Sequence, residues 1–320
     1  MQEFALIARL AQRLRARRGD TRIGIGDDAA VIAPAAGQEL AVTSDTLIAG
    51  RHFPDDTAPF DIGFKAIAVN LSDLAAMGAE PAWLTLALTA PALDASWCDA
   101  FIDGALAAIG AASVDIVGGD TTRGDLSITV TAIGTLPAAA AITRAGARVG
   151  DLVAVTGTLG DAAQGLALWA EREQQQDAHA RFLIERLCRP QWRNGSVLRG
   201  LVHAAVDVSD GLAADLGHIL SASQVGARID IDTLPASTAL MHTVPDAAAR
   251  RRMQLSGGDD YELCLILPAA QVDAARAAVD APLTVIGVIE AAPGLRCVDA
   301  SGAAVDPLQD RAHGWDHFSG

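Results

Sequence analysis

The sequence predicts an α/β protein of the α+β type, made of two sheet-and-helix domains. Three observations predict it. Segments with the two-residue period of strands alternate with segments of helical period along the whole chain. The 320 residues, 51% of them hydrophobic, exceed one compact core and suit two. Residues 137–150 turn rich in Ala, Gly and Arg, the composition of a joint. The domains are therefore expected at 1–137 and 148–320.

In chain order, residues 1–18 read as an amphipathic helix, with Phe4, Ile7, Leu10 and Leu14 on one face and arginines on the other. The compact apolar run of a secretory signal is missing, so the cytoplasm is the expected compartment. Strand patterns follow at 40–46, 82–89, 114–117 and 126–136, with helical patterns at 62–77 and 97–109. Beyond the joint, strands are expected at 152–156, 204–208, 261–267 and 283–289. Helices are expected at 161–173, 211–221 and 270–279. No short repeat is visible.

Charge narrows the function classes. Lys and Arg number 24 against 39 Asp and Glu, a net charge of −15, which opposes general nucleic-acid binding. No uncharged apolar run is long enough for a membrane span. The acids are 31 Asp and 8 Glu, and the bases are 23 Arg with a single lysine, Lys65. Compositional bias accounts for part of this skew, while the Asp excess also suits short carboxylates at turns and strand ends. Cys98, Cys188, Cys264 and Cys297 are scattered without a C-x-x-C pair and read as reduced thiols.

Polar residues gather repeatedly just after an apolar strand, often beside glycine. The clusters are Gly24-Ile25-Gly26-Asp27-Asp28, Thr43-Ser44-Asp45, Gly118-Gly119-Asp120-Thr121-Thr122-Arg123, Asp207-Val208-Ser209-Asp210-Gly211 and Gly257-Gly258-Asp259-Asp260-Tyr261. Adjacent carboxylates resist joint ionisation unless a cation lies between them. Hard oxygens flanked by glycine suit Mg²⁺, which takes a few carboxylates together with water and phosphate oxygens. Each cluster also has a plainer reading: a solvated turn for Asp27-Asp28, a helix cap for Ser209 and Asp210. Asp207 and Asp73 sit inside apolar stretches, where an unpaired carboxylate is costly. Five clusters together favour a phosphate site holding several Mg²⁺ ions.

A P-loop or a protein-kinase lysine is excluded, because Lys65 follows no glycine loop of either kind. Nucleotide would then be held through metal ions, backbone N–H groups and arginines such as Arg123 or Arg144. His52 and His203 on their own read as surface or satisfied core residues.

The clusters carry a resemblance in their order. Residues 24–32 (GIGDDAAVI), 43–47 (TSDTL), 50–53 (GRHF) and 65–79 (KAIAVNLSDLAAMGA), then 117–124 (VGGDTTRG), 207–212 (DVSDGL) and 256–263 (SGGDDYEL), resemble the bacterial thiamine-monophosphate kinase family. That family lies in the aminoimidazole ribonucleotide synthetase-like superfamily. The resemblance covers nearly the whole chain. It implies an N-terminal sheet that pairs across a homodimer, a C-terminal α/β sandwich, ATP as co-substrate and several Mg²⁺ ions. Asp28, Thr43, Ser44, Asp45, Asp73, Asp120, Asp207 and Asp210 fall on metal positions. Gly119, Asp120, Arg144 and Ser209 fall on nucleotide positions, and His52, Asp259 and Trp315 on substrate positions. The family often has Glu where this chain has Asp259.

The implied reaction is ATP-dependent phosphorylation of thiamine monophosphate to thiamine diphosphate. The acceptor phosphate is already anionic, with a second pKa near ~6, so no side-chain general base or nucleophile is expected. The alternatives are another ATP-dependent synthetase of the superfamily, a Mg²⁺-dependent phosphohydrolase, and a divalent-metal-binding protein without turnover. The selenophosphate synthetases carry a reactive Cys or selenocysteine near the N-terminus, whereas the first Cys here is Cys98. The hydrogenase-maturation relatives end in cysteine, and this chain ends in Gly320.

Overall fold

The computed structural model describes residues 12–14 and 16–306. Most of the expected N-terminal helix, and Trp315, lie outside them. Two compact units are present, one formed by the chain up to Ala75 with Ala79–Ala141, the other by Ala76–Gly78 with the chain from Ile142.

The first unit is built on a four-stranded sheet, order β3-β6-β4-β5, from β3 (Gln38–Ile48), β4 (Glu80–Ala90), β5 (Asp115–Arg123) and β6 (Ser127–Pro137). Pairing is antiparallel except between β4 and β5, which the helix α2 (Ala95–Ile109) joins as a parallel crossover. A small ribbon of β1 (Thr21–Ile23) and β2 (Val31–Ile32) precedes it. Its Ala30 and Ile32 pack on Trp83 and Val117, and the Trp83 indole N–H donates to Thr21 Oγ1 at 3.0 Å.

Helix α1 (Pro59–Ala76) is apolar nearly all round, and Ile62, Ile67, Leu71 and Leu74 are fully buried. It is pressed against α2 closely enough that side chains are excluded at the crossing. A Cβ on Gly63 would sit 2.0 Å from the Phe101 carbonyl oxygen, and one on Gly104 would sit 1.8 Å from that of Phe60. Lys65 is buried in the same helix, and its Nζ donates to the His52 carbonyl at 3.0 Å.

The four strands expected here are present, and one is much longer. β5 runs on through Gly118-Gly119-Asp120-Thr121-Thr122-Arg123, a stretch expected to leave the sheet. A bulge at Val117 resets its register, after which it pairs with β4 from Thr85 to Ala90. An edge strand needs backbone partners on one side only, so polar side chains do not stop it. Gly119 makes the approach feasible, since a Cβ there would meet the Leu86 carbonyl at 1.8 Å. Thr43-Ser44-Asp45 likewise lies in the middle of β3, the opposite edge, and not after it.

The second unit holds a seven-stranded sheet, order β13-β12-β9-β11-β7-β10-β8. Its strands are β7 (Leu152–Thr156), β8 (Ala204–Asp207), β9 (Gly226–Asp230), β10 (Leu263–Leu267), β11 (Leu283–Glu290), β12 (Gly294–Val298) and β13 (Ala304–Val305). Only β9 and β12 pair in parallel. The helices are α3 (Asp161–Ala167), α4 (Ala178–Cys188), α5 (Leu212–Ser223), α6 (Thr238–Thr243), α7 (Ala247–Ser256) and α8 (Val272–Ala278). Val155, Val206, Leu216, Ile219, Cys264, Ile266 and Ile286 form the core between α5 and the sheet. The helix expected over 161–173 stops at Ala167 and becomes a 3-10 turn over Trp169–Gln174, because Glu171, Arg172 and Glu173 give it nothing to bury. The four cysteines are free thiols. Among the described residues, no helix is long and apolar enough to cross a membrane.

Candidate functional site

In the first unit the acidic residues lie on the two faces of the four-stranded sheet. Side chains alternate along a strand, so Thr43 and Asp45 share the face turned toward α1. Thr43 Oγ1 donates to Asp73 Oδ2 at 2.6 Å, which joins the middle of β3 to the last turns of α1. Asn70, one turn earlier, holds the β3 backbone: its Oδ1 accepts from Asp45 N at 3.1 Å while its Nδ2 donates to Ala66 O. Asn70 is fully buried, so these bonds fix the register of α1 on β3.

Ser44 and Asp120 belong to the other face. The register runs Ser44, Thr131, Thr85, Gly118 across the four strands, and Thr46, Thr129, Ala87, Asp120 in the next row. Hydroxyls tie the first two strands, Ser44 to Thr131 at 3.1 Å and Thr46 to Thr129 at 2.8 Å. Asp120 on β5 lies three strand spacings from β3, about 14 Å. Asp45 and Asp120 are therefore on opposite faces and opposite edges, and cannot ligate one ion within one chain.

Asp28 and Asp120 line one cavity. With Asp27, Gly118 and Gly119 they rim this space of about 750 Å³, whose floor is Leu86, Leu88, Phe101, Ile102 and Ile116. Trp97 closes one side, stacked on Phe101 with ring centroids 5.2 Å apart. An apolar floor under a carboxylate rim suits a flat organic group joined to an anion, provided cations bridge the anion and the rim. His52 sits in the turn after β3, where its Nδ1 accepts from Ile48 N at 3.0 Å.

In the second unit two of the motifs meet directly. The segment after β8 and the segment before β10 run side by side, with Asp259 N donating to Ser209 O and Tyr261 N to Val208 O, both at 2.8 Å. This sets the backbone of Asp259 beside that of Ser209 and Asp210, with Asp207 at the adjoining end of β8 paired with Leu263. Asp207 ends β8 and is 5% exposed. Asp259 and Tyr261 have φ of 68° and 52°, a conformation that is rare for a bulky residue and marks a constrained loop. Arg144 is exposed in a bend next to Thr143, whose carbonyl accepts from Ala205 N of β8.

Behind this loop stand buried acids to which the sequence assigned no role. Asp215, in the first turn of α5, accepts from three consecutive amides with one oxygen: Ser209 and Asp210 at 3.0 Å and Gly211 at 3.1 Å. Burial pushes its carboxyl up to about 7, against the lowering effect of the amides and with the Asp210 charge adding to the rise. Asp260 caps the start of α3, accepting from Gly160 N at 2.6 Å, and burial drives its pKa well up. Burial also raises Asp161, although Ser237 and Thr158 both donate to it. Glu262, 1% exposed, is held by Arg193 (Nε, 2.7 Å), Arg186 (Nη2, 3.1 Å) and Thr156 Oγ1 (2.7 Å). An acid in the first turn after a glycine was a readable sign for Asp215. Arg186 and Arg193 carry none, since their partner lies some seventy residues away.

The family profile for AIR synthase related protein, N-terminal domain, matches residues 26–136, and that for the C-terminal domain matches 148–300. Thiamine-monophosphate kinase of Salmonella typhimurium is 47% identical over 324 residues, spanning 99% of this chain and 98% of that protein. The crystal structure of thiamine-monophosphate kinase from Stenotrophomonas maltophilia K279a superposes with a TM-score of 0.85 at 46% identity, covering 95% of this chain and 98% of that one. A structure of AaThiL complexed with AMPPCP and TMP follows at TM-score 0.79 and 29% identity, covering 99% and 97%.

Proposed function

The chain belongs to the thiamine-monophosphate kinase family of AIR synthase related proteins, and from that premise we propose how its carboxylates serve the reaction. It is a phosphotransferase that moves the γ-phosphoryl of ATP onto the phosphate of thiamine monophosphate, giving thiamine diphosphate and ADP. The observation that carries this is the end-to-end identity of 47% to an enzyme of that name. The relative seen with AMPPCP and TMP, an ATP analogue beside a second ligand, supports the same two-substrate reaction.

The donors around the candidate site are oxygen throughout, carboxylate and hydroxyl, which fits Mg²⁺. We assign Mg²⁺ positions to Asp28, Thr43, Ser44, Asp45, Asp73 and Asp120 in the first unit and, separately, to Asp207 and Asp210 in the second. Mg²⁺ held by these residues would offset the repulsion between the two anionic substrates. Gly119, Asp120, Arg144 and Ser209 are assigned to the nucleotide, and His52, Asp259 and Trp315 to thiamine monophosphate. The indole of Trp315 suits a cationic thiazolium ring. Transfer is direct, because the acceptor phosphate is already a nucleophile and needs no general base.

We further infer a homodimer. The open face of the four-stranded sheet exposes Leu40, Val42 and Ile48 on β3, and the separation of Asp120 from Ser44 is spanned if a second sheet packs there. The reaction is placed in the cytoplasm, where ATP is available.

Purified protein is incubated with ATP, Mg²⁺ and thiamine monophosphate, and thiamine diphosphate is measured against an EDTA control. Metal-dependent product is expected, with Asp45→Asn and Asp120→Asn each lowering kcat by roughly 10²–10³-fold, as loss of a charge-stabilising group does. Phosphate release from thiamine monophosphate without ATP would instead make it a phosphohydrolase.

A further inference from the structure

Away from every residue assigned above, the start of α4 and the short helix α6 bring two imidazoles and a carboxylate together. Asp177 caps α4, its Oδ1 accepting from His179 N at 2.9 Å. Its other oxygen, Oδ2, lies 3.5 Å from Nε2 of His242 on α6. The rings of His179 and His242 are 4.5 Å apart between centroids and inclined by 36°. One ligand-type atom from each of the three residues falls within 4.8 Å of the others.

We propose that Asp177, His179 and His242 form a binding site for a borderline divalent cation, Zn²⁺ in the first instance, distinct in chemistry from the all-oxygen Mg²⁺ positions. Two imidazole nitrogens and one carboxylate oxygen are the donor set of many three-ligand zinc sites, with a fourth position left to water. Mg²⁺ has little affinity for such nitrogen donors. Zn–N bonds of ~2.0–2.1 Å place tetrahedral ligand atoms about 3.4 Å apart, so the three groups need only draw inward slightly. His242 is free to do so, since 59% of its side chain is exposed. The carboxylate is already fixed by its capping bond, which leaves Oδ2 turned to the rings.

The cation would tie α4 to α6. α4 carries Arg186, which donates to the Asp260 carbonyl and to Glu262, and the cap of α6, Ser237, donates to Asp161. A clamp here therefore stiffens the helices that support the Asp259 loop, and its signature is stability as well as binding.

The test uses the full-length chain without a polyhistidine tag, titrated with Zn²⁺ by calorimetry in excess Mg²⁺ so that the oxygen sites are filled. The expected result is one Zn²⁺ per chain, with a thermal midpoint that rises on addition of Zn²⁺. His242→Ala and His179→Gln should each weaken binding by more than the ten- to hundredfold typical of losing an outer-shell partner, and abolish the rise in midpoint. Asp45→Asn should change neither. Co²⁺ in place of Zn²⁺ should give visible absorption bands in the wild type that His242→Ala lacks. Absence of binding, or Zn²⁺ binding that His242→Ala leaves intact, overturns the proposal. His242 is exposed, so an unchanged metal-free midpoint in that variant separates loss of the site from loss of the fold.

Discussion

At the scale of single residues, Asp215 has the largest predictable consequence. Its carboxyl is raised from the ordinary range to about 7, chiefly by burial. A carboxyl that titrates near ~3.9 in the unfolded chain and higher in the folded one holds its proton preferentially in the folded state. The stability this contributes is complete below about pH 4 and lost as pH rises through 7. Metal-free protein in EDTA should therefore lose stability relative to Asp215→Asn between pH 5 and 7, by about 2–3 kcal/mol. Urea unfolding of both proteins across that range checks it, and a difference independent of pH would rule it out. Asp161 and Asp260, also raised, act in the same direction. At this scale the sequence was only partly readable. Asp207, Asp210 and Asp259 announced themselves as carboxylates in apolar or glycine-rich settings. Glu262 gave no such sign, because the arginines that hold it come from a helix and a loop far away in the chain.

At the scale of elements, the crossing of α1 and α2 leaves no room for a single methyl group. The obstructing atom at Gly104 is a backbone carbonyl in the other helix, which cannot turn aside as a side chain would. Gly104→Ala should cost about 1–3 kcal/mol and lower the thermal midpoint. Gly19→Ala, with nothing within 4 Å of the new carbon, is the control and should stay within about 0.5 kcal/mol. Long, strongly patterned elements such as β4, β6 and α1 were legible because period and burial agree. β9 and β12 were not. β9 has only Ala227 and Ile229 as buried apolar side chains, with exposed Arg228 between them, and its place in the sheet comes from pairing with β11 and β12. The extension of β5 was hidden for the opposite reason: glycine and aspartate signal a turn, but an edge position tolerates them.

For the whole molecule, the net charge of −15 and the exposed apolar residues of β3 pull in opposite directions. Like charge keeps copies apart, while the exposed Leu40, Val42 and Ile48 would favour the dimer proposed above. If they form the dimer contact, Val42→Arg should shift the mass measured by light scattering from dimer to monomer. Salt should favour the wild-type dimer by screening its charge. A variant that stays dimeric would place the contact elsewhere. The order of motifs from residue 24 to residue 263 was enough to read the family and its α/β fold, but not β9 and β12, which hold no motif. The distribution of carboxylates over opposite faces was not readable, since it depends on a bulge at Val117 that shifts register by one residue.

The burial of Lys65 gives the protein an unusual chemical property. It carries the only side-chain primary amine in the chain; the residue is 2% exposed in α1 and its amine is bound to a carbonyl. An acylating reagent added to folded protein therefore finds no lysine to modify until α1 separates from its surroundings. Acylation of the peptide spanning residues 59–76, followed by mass spectrometry, becomes a clock for that opening. Modification of the peptide at the rate of a free lysine would show that α1 opens freely. Slow modification that accelerates with added urea is the expected result.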